Sequence, residues 1–224
     1  MRHQTFLPRP TLPVLLLAAA LLAPQALAQN LNVNADLIAA ARAGSESGIA
    51  AALSHGANPD SRNRLGDTPL NLASRNGRTA MAQLLIDKGA NVDQPNLAGV
   101  TPLMSASFGG HSGIAMMLIK AGADLKPRDR VGKTAMVYAA GGGHAVIVDA
   151  LLAAGTPVDQ RYDNDLTALM WAAGYGHVDV IKLLLSRGAD PSLKDNRGKT
   201  ASAIASDAGH SAVAELIGPS GGVK

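Results

Sequence analysis

The sequence predicts an all-α solenoid of helix-turn-helix units joined by β-turn tips, and three observations predict it. Threonines stand in register at Thr68, Thr101, Thr134, Thr167 and Thr200, each 33 residues after the last, and a fixed period of that kind marks a repeat architecture. Three glycine columns keep the same step: Gly66, Gly99, Gly132 and Gly198, with Asp165 in the missing place; Gly44, Gly77, Gly110, Gly143, Gly176 and Gly209; and Gly56, Gly89, Gly122, Gly155 and Gly188. Cysteine is absent, so disulfides, thiolate metal sites, a catalytic cysteine and a lipid-modified cysteine are all excluded, and the fold must stand on its apolar core.

Taken in order, the chain begins with a stretch that reads as a secretory signal, Met1–Ala28. Arg2 and Arg9 make a basic start, Val14–Ala23 is an apolar run, and Ala26–Ala28 is a small-residue cleavage site. The run is about half of the roughly 20 residues a membrane span needs, which favours a removed signal over an anchor. The mature protein is then expected from Gln29, with residues 29–34 as a short lead. The full chain carries 20 basic and 17 acidic side chains, a net +3 that falls to +1 without the two leader arginines. No basic run is present to neutralise phosphates, so nucleic-acid binding drops out.

Within each unit the threonine suits a helix N-cap, since its hydroxyl satisfies an orphan backbone N–H, and Pro69 and Pro102 fit the first helical position. Gly77, Gly110, Gly143, Gly176 and Gly209 stand where a left-handed cap should end the first helix. The second helix is expected to bury one stripe: Ile114, Met117 and Leu118, then Ile147, Leu151 and Leu152, then Ile181, Leu184 and Leu185. Five clear units run from Asn63 to Ile217. A weaker one, Ala35–Arg62, precedes them and is the unit expected to fray first, because Gly48 stands where its neighbours place an apolar residue. Residues 218–224 are expected to form a flexible tail.

The stretches GDTPLNLASRNG, GVTPLMSASFGG and LTALMWAAGYGH, followed by LLIDKGANVD and LLLSRGADPS, resemble ankyrin repeats, and the exported chain is similar to small exported bacterial proteins of that family. Departures from the family pattern are visible. Histidine would follow TPL, yet Asn71, Met104, Val137, Met170 and Ala203 occupy that place, so a hydrogen bond typical of the family is expected to be missing in every unit. Alanine replaces proline at Ala135, Ala168 and Ala201 at little cost, and Asp165 can still take a positive φ.

Several fragments imitate catalytic or metal-binding motifs. GKT at Gly132–Thr134 and Gly198–Thr200 lacks the earlier glycine of a phosphate-binding loop, since Pro127 and Leu193 stand there. GSESG at Gly44–Gly48 has glutamate at its centre and is no nucleophile elbow. His111, His144, His177 and His210 recur one unit apart, and a ladder with roughly 8 to 10 Å steps cannot converge on a metal held at about 2.0 to 2.1 Å. They read instead as residues that start the second helix and bond nearby backbone; His55 lies off that register. Asp163 with Asp165, and Asp179 with Asp207, have nothing to bring them together. No cofactor and no metal are expected.

The five aromatics after the leader, Phe108, Tyr138, Tyr162, Trp171 and Tyr175, all fall in three consecutive units. Trp171 and Tyr175 share a helix face, Tyr138 lies one period before Trp171, and Phe108 holds a place that is glycine at Gly141 and Gly174. The resemblance implies a concave groove lined by first helices and turn tips: Arg75, Asn76, Phe108, Tyr138, Trp171, Tyr175 and Asp207. Its tips are Arg64, Asp67, Val100, Arg130, Lys133, Asp163, Asn164, Arg197 and Lys199. Tryptophan, tyrosine and arginine are enriched in interface hot spots. The expectation is therefore a monomeric, non-catalytic module that binds an unidentified protein partner, for which the resemblance suggests a helper or protector of an exported protein. The alternative is a small-ligand-binding or enzymatic protein using the cleft around Trp171.

Overall fold

In the computed structural model, residues 32–218 are described; the expected leader and nearly all of the expected tail lie outside them. Twelve α-helices among the described residues pair into six antiparallel hairpins. Helix α1 covers 32–43, so it takes in the last residues of the expected lead, and packs with α2, Glu46–Ser54. The pairs that follow are α3 (Pro69–Arg75) with α4 (Thr79–Asp87), and α5 (Pro102–Gly109) with α6 (Ser112–Lys120). Next come α7 (Ala135–Gly141) with α8 (Ala145–Ala153), α9 (Ala168–Gly174) with α10 (Val178–Ser186), and α11 (Ala201–Asp207) with α12 (Ser211–Ile217). Helices α3, α5, α7, α9 and α11 stack in one row and α2, α4, α6, α8 and α10 in another.

The local chemistry is the one the sequence predicts. Each of the five threonines caps its helix, its hydroxyl accepting the N–H of Asn71, Met104, Val137, Met170 or Ala203. The glycines that follow the inner helices have positive φ, +69° at Gly110 for example. A side chain there would also strike a neighbour: a Cβ on Gly110 would lie 2.5 Å from the His144 ring. That ring, like those of His111 and His177, reaches back a whole unit. Their Nε2 atoms meet the carbonyls of Arg75, Phe108 and Gly141, for His111, His144 and His177 in turn, at 3.2, 3.3 and 2.9 Å. The histidines thus tie adjacent units together rather than bonding backbone close by in sequence.

Two expectations are corrected. The outer-helix stripe is shifted: the buried sets are Ile114, Ala115 and Leu118, then Ile147, Val148 and Leu151, then Val180, Ile181 and Leu184, while Met117, Leu152 and Leu185 are only half buried at its edge. Each buried leucine or isoleucine contributes about 1.5 to 3 kcal/mol. The hydrogen bond expected to be missing everywhere is restored once. Asn71 accepts from the Thr68 N–H and hydroxyl, both at 2.9 Å, and donates its amide to the Val100 carbonyl of the next unit at 3.4 Å.

Between hairpins, five loops project as fingers over 57–68, 90–101, 123–134, 156–167 and 189–200. Four of them are braced by one side chain: the oxygen of Asn63, Asn96, Asp129 or Asp195 accepts two backbone N–H groups across the turn, at 2.8 to 3.0 Å. In the fourth finger Tyr162 occupies that place and is buried. The turn there becomes a short 3-10 segment, Asp163–Asp165, with Asn164 and Asp165 at φ of +61° and +58°. Asp165 adopts the conformation expected of it, and Asn164 joins it. No described helix is long and apolar enough to cross a membrane.

Candidate functional site

The inner helices α5, α7 and α9 set the aromatic residues side by side. Phe108 ends α5, Tyr138 lies mid-way along α7, and Trp171 and Tyr175 follow one unit on. Phe108 meets Tyr138 edge to face, with ring centroids 5.6 Å apart at 83°. Trp171 and Tyr175 lie near-parallel at 6.3 Å, and Tyr175 continues onto His177 at 6.2 Å. Edge-to-face and offset geometries suit the quadrupole of such rings. Phe108 and Tyr175 are 68% and 55% exposed, whereas Tyr138 and Trp171 are half buried against the core. The patch is thus both exposed surface and interhelical packing, divided ring by ring.

Gly141 explains the hollow between them. With no side chain on α7 at this place, the Tyr175 and Trp171 rings pass 3.6 to 3.8 Å from where its Cβ would be. A cleft of about 200 Å³ results, lined by Phe108, Lys133, Val137, Tyr138, Gly141, Gly142, Trp171 and Tyr175. The Lys133 ammonium sits over two of these rings, 5.3 Å from the Trp171 centroid and 5.4 Å from that of Tyr138, within cation–π range. The Trp171 indole N–H is covered and has no acceptor among the described residues. Beyond the Phe108 and Tyr138 pair lies a second hollow of about 200 Å³, lined by Arg75, Asn96, Val100, Met104 and Ser105 as well as those two rings.

Electrostatics fix the tyrosine that separates the hollows. The Tyr138 hydroxyl donates to the Asp129 carboxylate. Burial first, and then that carboxylate, push its phenol far above the usual tyrosine range, so it stays neutral. The carboxylates of this face are each engaged: Asp67 by Arg75, Asn63 and Asn96, Asp129 by Tyr138, Asp207 by Lys199 and Asp163 by Arg128. Arg64, Arg130 and Lys133 make no ion pair among the described residues, so the unbalanced charge along the tips is positive.

Of the residues the sequence singles out, five come together in the first cleft: Phe108, Lys133, Tyr138, Trp171 and Tyr175. Arg75 joins the second. Arg130, Asp163 and Asn164 line neither hollow; Arg130 is exposed at a tip, Asp163 turns to Arg128, and Asn164 accepts the backbone N–H of Asn196 at 3.0 Å. Asp67 is corrected outright: expected at an exposed tip, it is 1% exposed, because three side chains converge on its carboxylate. Overlooked were Val137, Gly142 and the apolar finger tips Leu65, Leu97 and Val131, which are 62%, 54% and 69% exposed. The triplet Gly141–Gly143 was the available signal for the hollow.

A family model described as Ankyrin repeats matches the chain three times, over residues 37–129, 122–195 and 164–223. The chain belongs to the ankyrin-repeat family. An ankyrin-repeat domain typically mediates protein–protein interaction and is usually non-catalytic. Comparison of this ankyrin-repeat chain with curated proteins gives no match.

Proposed function

We propose that the protein is a non-catalytic docking module that holds one partner protein in the concave groove of its inner helices. The observation that carries this is the cleft around Gly141, where Phe108 and Tyr175 stand exposed on either side of Lys133 poised over two rings. Exposed rings flanking an apolar hollow are the form that interface anchors take. With the face's carboxylates engaged and Arg64, Arg130 and Lys133 in no ion pair among the described residues, the fitting partner segment is extended and acidic, with an apolar or aromatic side chain that enters the cleft beside a carboxylate for Lys133. A photoactivatable cross-linker at Phe108 or Tyr175 should give one discrete adduct, and the same group at Val146, exposed on the outer helix α8, should give none. Equal labelling from both faces would contradict the groove.

The basic start, apolar run and small-residue site of Met1–Ala28 support export to the bacterial periplasm or beyond, where the partner would be another exported protein that this module helps or protects. Amino-terminal sequencing of the mature protein should begin at Gln29; a chain that retains Met1 would exclude that route.

A further inference from the structure

The fingers are tied edge to edge by two sets of bonds, and both sets fail at the same junction. Along the finger bases, the carboxylates of Asp60, Asp93 and Asp159 accept the backbone N–H of Asn91, Asp124 and Asp190, at 2.8, 2.9 and 3.0 Å. Between the third and fourth fingers the corresponding residues are Lys126, which cannot accept, and Pro157, which has no N–H to donate. Along the tips, the carbonyls of Leu65, Ala98 and Asn164 accept the N–H of Leu97, Arg130 and Asn196, at 3.0, 2.9 and 3.0 Å. Among the described residues no such bond joins Val131 to Asp163. One exposed ion pair, Arg128 with Asp163, crosses there instead. The gap is a cleft of about 580 Å³ between residues 123–134 and 154–162, inside the range of small-molecule sites.

The other units supply the reference for what this cleft has become. Thr156 stands where the other fingers have the buried alanines Ala57, Ala90, Ala123 and Ala189, and its hydroxyl oxygen is buried with no partner among the described residues. A buried hydroxyl without a partner destabilises a fold that alanine serves better. Lys126 reverses the charge found at Asp60, Asp93 and Asp159 and makes no ion pair among the described residues. Tyr162 replaces the bracing Asn or Asp, and its ring closes one wall. Each replacement removes a feature that serves the finger elsewhere, and all of them line one cavity. Asp124, the one carboxylate on its lining, has an oxygen accepting the Lys126 backbone N–H at 3.0 Å. Leu125, Pro157, Ala123 and Ala154 add apolar surface beside the polar Thr134 and Gln160.

We propose that the cleft between the third and fourth fingers binds a small organic anion, a carboxylate on an apolar body, with its charge at Lys126 and Arg128 and its body against Leu125 and Pro157. A bare inorganic anion would leave the apolar walls unused, and a neutral molecule would leave Lys126 unpaired. The site is separate from the concave groove and does not depend on what docks there.

Benzoate, benzyl alcohol and inorganic phosphate, each titrated into isotopically labelled full-length protein and followed by amide NMR, test this. Benzoate should give saturable shifts at millimolar concentration in Ala123–Lys126 and Gly155–Tyr162, and both other probes should bind at least about fivefold more weakly. Lys126→Asp and Thr156→Ala install residues that neighbouring fingers already use, so Lys126→Asp should keep the wild-type thermal transition and Thr156→Ala should keep or raise it. Lys126→Asp should weaken benzoate by at least about fivefold, and Thr156→Ala should alter shifts within the cleft. The absence of saturable shifts, shifts centred on Trp171, or benzoate affinity unchanged by Lys126→Asp would each overturn the proposal.

Discussion

Gly110 and Gly141 both end inner helices, yet they answer different demands. Gly110 has a φ of +69° and faces the His144 ring so closely that a Cβ would lie 2.5 Å from it. Gly141 is helical, and its missing Cβ would make ordinary contact with Tyr175 and Trp171 at 3.6 to 3.8 Å. Gly110→Ala should therefore lose about 2 kcal/mol or more in urea unfolding, while Gly141→Ala should hold or gain up to about 1 kcal/mol from helix propensity. Equal losses would show that the two positions answer one demand and not two. The glycine caps were legible in the sequence because backbone conformation is a local property. The role of Asn71 was not, since it depends on the Val100 carbonyl 29 residues away. Asp67 misled for the same reason: its position in a turn pointed outward, but Asn96 of the next finger covers it.

At the scale of elements, helices and their boundaries could be read from threonine, proline and glycine, and the stripe of each outer helix only to within one position. Helical period places an apolar face, but the neighbouring unit decides which edge of that face is covered. The fourth finger was legible only in part. Asp165 announced a glycine-like turn, whereas the seam beside it comes from pairs such as Lys126 with Pro157 that meet only in the stack. Tyr162 gives this element a pH signature. Burial above all, opposed by the Thr134 hydroxyl and the Arg128 charge, raises its phenol from 10.0 to about 12. Because the folded value lies above the unfolded one, its contribution is whole below pH 10 and is lost as pH climbs toward 12. The stability difference between the native protein and Tyr162→Phe, from urea midpoints at neutral pH and near pH 11, should shift in favour of phenylalanine at the higher pH. A difference that stays constant would place the phenol in solvent.

For the whole molecule, the period fixed the architecture while a single sequence could not say which rings face outward. That answer came from stacking: Phe108 and Tyr175 stand out because Gly141 lies between them, and Tyr138 and Trp171 sink because their neighbours cover them. Stacking also predicts a gradient of stability, since an end unit is covered on one side only. Amides of Ala35–Leu53 should exchange faster than those of Val146–Leu152; equal protection would mean that the array opens as one unit. The groove itself is tested most directly by quantitative recovery of bound protein from the native cell, using the native chain, the double variant Phe108→Ala with Tyr175→Ala, and Lys126→Asp. The native chain and Lys126→Asp should recover the same protein in equal amounts, and loss of the two rings should reduce that recovery by about tenfold or more. Undiminished recovery by the double variant would place the partner elsewhere and contradict the docking groove.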